Sequence, residues 1–149
     1  MDAELGRTFH ISREFDSIWC SRECAAYALS LGFNKRAAGE IAIAVSELVT
    51  NIIKFAGSGT VTIRPLAGLE RGLEVRAEDH GPGIDNIEAA LRDGYSEGRI
   101  LSEEETHSFH RGLGIGLGAV KRLMNSLEIR RSPDGGLTVI AGKRLPRRS

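Results

Sequence analysis

The stretch from Asn34 to Phe55, NKRAAGEIAIAVSELVTNIIKF, constrains the fold more than any other, because two patterns run along it at once. Ile41, Val45, Leu48, Ile52 and Phe55 recur at four-three-four-three spacing, which at about 100° per residue stacks them in one apolar stripe of a long helix. That stripe is core. Glu40, Glu47, Asn51 and Lys54 keep the same rhythm roughly 110° round the helix, so they form a polar flank at the core's edge. Taken alone, such a flank reads as a solvated helix face. Two glycine-rich motifs further along the chain give it a second reading.

At 149 residues the chain is long enough for one domain with a real core. Its 41% hydrophobic and 27% charged residues read as globular, not disordered. The 20 basic and 20 acidic residues balance, which argues against a nucleic-acid or membrane-surface partner of the electrostatic kind. The locally basic tail, Lys143, Arg144, Arg147 and Arg148, reads as solubilising. The N-terminal MDAELGRTFHIS has no basic start followed by an apolar run, and no stretch approaches the roughly 20 apolar residues that span a bilayer. A cytoplasmic location is expected. Cys20 and Cys24 align with Tyr27, Ala28 and Leu31 on one helical stripe, which predicts buried free thiols and not a disulfide or a metal pair.

Taken in order, Thr8 to Ile11 predicts a short strand, and a first helix runs from Asp16, the expected N-cap, to Leu31, with Gly32 as its stop. Asn34 can cap the long helix, which ends before Gly57-Ser58-Gly59. Thr60 to Leu66 and Leu73 to Glu78 alternate as strands do and predict an antiparallel hairpin, with Pro65 at a strand end or on an edge. A turn at Asp79 to Ile84, a short helix at Asn86 to Arg92, and a patternless segment from Gly94 to Arg111 come next. Gly112 to Gly118 has glycine at every second position, a helix resumes at Ala119 to Asn125, and Leu127 to Arg131 with Leu137 to Ala141 flank a hairpin turn. Hairpins with helices inserted between them predict an α+β fold, a two-layer sandwich of one mixed, mostly antiparallel sheet with helices on one face. No internal repeat or linker divides it.

Three motifs carry chemistry. In Glu47-x-x-x-Asn51-x-x-Lys54, an amide oxygen suits Mg²⁺, a carboxylate one turn away can orient or deprotonate a hydroxyl, and the lysine can meet phosphate charge. In Asp79-x-Gly81-x-Gly83 the glycines permit close approach to a flat ligand, and the carboxylate can accept from an exocyclic amine; an ordinary Asp-Gly turn is the alternative. Gly112-Leu-Gly-Ile-Gly-Leu-Gly118 before a helix offers backbone N–H groups and a helix N-terminus to phosphate, or else a hinge. Absence of Gly-Lys-Ser/Thr excludes a P-loop. His107, His110 and Glu103 to Glu105 have no specific ligand spacing and read as a solvated loop.

In this order the three motifs resemble the GHKL superfamily, the ATP-binding domains of gyrase, Hsp90, MutL and histidine kinases with the Bergerat α/β sandwich. ELVTNIIKFAG, EDHGPGI, Asp93-Gly94-Tyr95-Ser96 and GLGIGLGAVKRLMNSLEI look most like the small bacterial switch-protein serine/threonine kinases of stressosomes and their anti-sigma-factor kinase relatives. The resemblance covers about Thr8 to Lys143, with a lid at about 94–118. It implies ATP and Mg²⁺ as cofactors, Asn51 as the Mg²⁺ ligand, and Glu47 as the catalytic base or orienter. Asp79, with Gly81 and Gly83 beside it, would accept from adenine, and Thr138 would support that site through water. Gly112, Gly114, Gly116 and Gly118 would wrap the phosphates, with Lys54 near them.

The implied activity is phosphorylation of a STAS-domain protein in a partner-switching pathway, with a PP2C-type phosphatase or a sigma factor as further partners. The alternative is a non-catalytic, nucleotide-dependent binding module, an anti-sigma factor or phosphatase activator. A histidine-kinase fragment is disfavoured, because those kinases usually carry Asn where Glu47 stands. The acidic segment between Ser96 and Gly112 is longer than the family's pattern, which bears on lid geometry and partner choice. Oligomeric state stays open, a homodimer included.

Overall fold

A computed structural model describes residues 6–68, 71–79, 117–131 and 136–146. Strand β1 (Arg7–Ile11) leads into helix α1 (Asp16–Leu31) and the long helix α2 (Lys35–Ala56). Strands β2 (Gly59–Pro65) and β3 (Gly72–Asp79) follow, then α3 (Leu117–Leu123), β4 (Ser126–Arg131) and β5 (Leu137–Arg144). The five strands lie in the order β1-β2-β3-β5-β4, and each described pairing is antiparallel. The three helices cover one face, which is the expected α+β two-layer sandwich. The expected helix at Asn86 to Arg92 and the segment from Gly94 to Arg111 lie outside the described residues.

Local chemistry sets the helix ends. Asn34 caps α2, its side-chain oxygen accepting the Ala37 N–H at 2.8 Å. Gly32, at φ 109°, closes α1 in the left-handed conformation that glycine adopts without a Cβ penalty. Asp16 does not cap α1: it is the first helical residue, and its carboxylate turns back to accept the N–H groups of Ser12 and Arg13 at 2.9 and 3.0 Å. It therefore ties down the β1 to α1 connection. These two bonds hold its carboxyl below the usual carboxylate range. Pro65 ends β2 beyond the last pairing with β1, Arg7 with Ile63, where a missing N–H costs nothing on that side.

The core lies between α2 and the sheet. Ile41, Val45, Leu48 and Ile52 are buried against Phe9, Ile11, Val61, Ile63, Val75, Ala77, Val139 and Ala141. Each aliphatic side chain of that size contributes about 1.5–3 kcal/mol when fully buried. Phe55, the last residue of the stripe, is only partly buried, and the Lys54 ammonium stands 5.6 Å from its ring centre. Helix α1 adds the buried Cys20, Cys24, Tyr27 and Ala28, and Trp19 meets Phe9 edge-on at 5.1 Å. Both cysteines are free thiols. Among the described residues no helix is long and apolar enough to cross a membrane.

Candidate functional site

Asp79 closes β3 and is buried, with 8% of its surface exposed. A carboxylate so placed needs donors, and one is the backbone N–H of Leu137, which donates to Asp79 Oδ1 at 3.2 Å. On its other side Asp79 pairs with Gly59. A Cβ on Gly59 would lie 2.3 Å from the Glu78 carbonyl oxygen, 3.2 Å from Asp79 Cα and 3.0 Å from Ile52 Cγ2 of α2. Glycine there leaves room for the Ile52 side chain of α2 and for the close approach of β2 to the end of β3 at Asp79.

The polar flank of α2 divides into three parts with different surroundings. Glu40 is taken up by structure: Lys143 of β5 donates to its Oε1 at 3.2 Å and also to the carbonyl of Leu123 at the end of α3. Glu47 is half-buried one turn before Asn51, and positions four apart put their Cβ atoms about 5–6 Å from each other. Asn51 Oδ1 is buried with no hydrogen-bond partner among the described residues, a state rare enough in folded proteins to point to a ligand, ion or water as its natural partner. An amide oxygen is a hard donor of the kind Mg²⁺ takes, so the residue fits that ion. Lys54 is exposed and points to a different place, a groove of about 490 Å³ that it lines with Glu14, Ser17, Val49, Thr50 and Ile53.

Thr138 does not stand beside Asp79. It pairs directly with Glu78, and successive residues of a strand point to opposite faces. Its hydroxyl is therefore on the sheet face away from the helices, while Leu137 occupies the place next to Asp79. A one-residue offset reverses the facing of every side chain, and the turn before β5 sets that offset. The Leu137 N–H is invisible to motif reasoning because backbone donors leave no residue-type signature; strand register alone brings it to Asp79.

Gly81, Gly83, Gly112, Gly114 and Gly116 lie outside the described residues. Gly118 sits inside α3, which begins at Leu117, two residues before the expected start. A Cβ there would touch only Arg122 Nη1, at an ordinary 3.5 Å, among the described residues.

Residues 20–143 match the family described as histidine kinase-like ATPase domain. Serine/threonine-protein kinase RsbT of Bacillus subtilis is 35% identical over 120 residues, covering 80% of this chain and 81% of that one. Anti-sigma F factor of Caldanaerobacter subterraneus subsp. tengcongensis is 30% identical over 118 residues, 77% and 76% of the two chains. A chain from the crystal structure of the SiaB-SiaC complex of Pseudomonas aeruginosa shares the fold, with a TM-score of 0.53 at 17% identity over 93% of this chain and 89% of that one. With the helix-on-sheet architecture, the buried Asp79 and a match over most of its length, the chain belongs to the histidine kinase-like ATPase domain family.

Proposed function

We propose that the protein is an ATP- and Mg²⁺-dependent protein serine/threonine kinase whose substrate is a STAS-domain protein of a bacterial partner-switching system. The observation that carries this reading is the buried Oδ1 of Asn51, without a hydrogen-bond partner among the described residues, one turn from the half-buried carboxylate of Glu47. Asn51 would hold the Mg²⁺, which when bound neutralises phosphate charge. Asp79 accepts from the adenine amine, and by the family resemblance the glycines at 81, 83, 112, 114, 116 and 118 would contact the nucleotide and its phosphates. Glu47 orients the incoming Ser or Thr hydroxyl and takes its proton; the hydroxyl oxygen bonds to the γ-phosphorus as the bond to the bridging oxygen breaks and ADP leaves.

The relationship to RsbT, whose own name is that of a serine/threonine kinase, supports transfer to a protein hydroxyl. The groove at Lys54 supports a macromolecular substrate, because Phe15, Ile18 and Trp19 stand exposed around the start of α1, whose Ser17 lines it. That apolar surface also suits a second reading, a nucleotide-dependent binding module that docks a partner without transferring phosphate.

Incubation with labelled ATP and candidate STAS-domain proteins separates the two. The kinase reading expects a phosphoserine or phosphothreonine on one of them and its loss in Glu47→Ala, with ATP and partner binding retained. Normal ATP and partner binding with no transfer to any candidate leaves the binding module standing and removes the kinase.

A further inference from the structure

Asp79 is held on both sides by neighbouring strands, and this has a consequence for how the site reads a base. On the β5 side its Oδ1 is held by the Leu137 N–H. That amide sits at the first residue of β5, and its bond to the carboxylate takes the place of the next rung of the ladder beyond Glu78 and Thr138. On the β2 side Gly59 leaves space for the Asp79 backbone that any Cβ would occupy. The Leu137 side chain, 7% exposed and on the Asp79 face, offers no hydroxyl to share the work.

We infer that Leu137 is a positioning residue for base recognition: its backbone N–H helps orient the Asp79 carboxylate toward an exocyclic amine, so adenine selectivity depends in part on a main-chain donor at this position. This inference rests on the nucleotide reading of Asp79. A carboxylate that rotates about its own bonds loses directional preference for an amine, whereas one anchored at Oδ1 keeps it.

Leu137→Pro deletes the donor at a strand position where proline is tolerated, and also removes a buried side chain, a loss that Leu137→Ala shares. Leu137→Ala shortens the side chain and keeps the N–H. Calorimetric titration of each with ATP and with inosine triphosphate, which lacks the exocyclic amine, gives a selectivity ratio. Loss of one hydrogen bond to a charged group is expected to cut that ratio by about tenfold in Leu137→Pro. Leu137→Ala should keep the wild-type ratio, and inosine triphosphate should bind the wild type and Leu137→Pro alike.

An unchanged ratio in a folded Leu137→Pro, or a parallel loss of both nucleotides, overturns the inference while leaving the nucleotide site intact. Wild-type protein that binds neither nucleotide, or both equally, overturns the Asp79 reading itself. Amide hydrogen exchange covers the case in which the proline variant does not fold. The Leu137 amide should be protected in the wild type and exchange at least roughly tenfold faster in Asp79→Ala, as expected for loss of a bond to a charged group; equal rates in the two proteins sink the proposal.

Discussion

Lys143 of β5 lies 3.2 Å from Glu40 of α2, and the same ammonium donates to the Leu123 carbonyl that ends α3. One side chain, 13% exposed, thus holds a strand and two helices together along the edge of the core. Removing the ammonium strands a partly buried carboxylate and an end-of-helix carbonyl. Lys143→Met is expected to cost about 2 kcal/mol, and Glu40→Gln less, because the amide can still accept from Lys143. Urea denaturation of the three proteins measures it; a Lys143→Met midpoint equal to wild type contradicts the clamp.

Asn51 should show the opposite balance of stability and function. In the absence of nucleotide its buried Oδ1 has no hydrogen-bond partner among the described residues, so Asn51→Leu should leave the melting temperature unchanged or raise it. The same change should abolish the gain in ATP affinity on adding Mg²⁺. A variant that melts much earlier yet keeps its Mg²⁺ response would place Asn51 in the structural core instead.

Asp16 makes part of the stability depend on pH. The Ser12 and Arg13 N–H groups lower its folded pKa, so its contribution is fully present above the unfolded carboxylate value and is lost as pH falls through the folded one. Asp16→Asn should therefore melt below wild type at neutral pH, with the gap closing under acid conditions. A gap that is constant or widens as pH falls contradicts the assignment.

The thiols should be silent. Cys24 is hydrogen-bonded to Cys20 and buried, and both causes push its pKa up, away from the reactive thiolate. Ellman's reagent under mildly alkaline conditions should release no colour from the native protein and two equivalents after denaturation. Rapid native reaction of either thiol would show that α1 detaches from the sheet in solution.

The elements along α1, α2 and the β2 to β3 hairpin were legible because each is written in local chemistry: a 3.6-residue stripe, an Asn cap, a glycine stop, and alternation ended by proline. Asp16 misled because a short acidic side chain at a helix start can cap forward or bond backward, and only the path of the preceding loop chooses. Thr138 misled for a related reason. Its residue type suited an adenine site, but facing is a property of register, and register is a relation between two strands.

The sequence by itself determined that a long amphipathic helix would bury one stripe and line up Glu40, Glu47, Asn51 and Lys54 on its flank, because helical periodicity is a property of one segment. Tertiary structure decided the surroundings of that flank. Lys143 arrived from β5 to neutralise Glu40, Gly59 let Ile52 of α2 pack where β2 meets Asp79, and the start of α1 made a groove at Lys54. A residue's chemistry is fixed by its side chain. Its partners come from parts of the chain far away in sequence, and only packing brings those parts together.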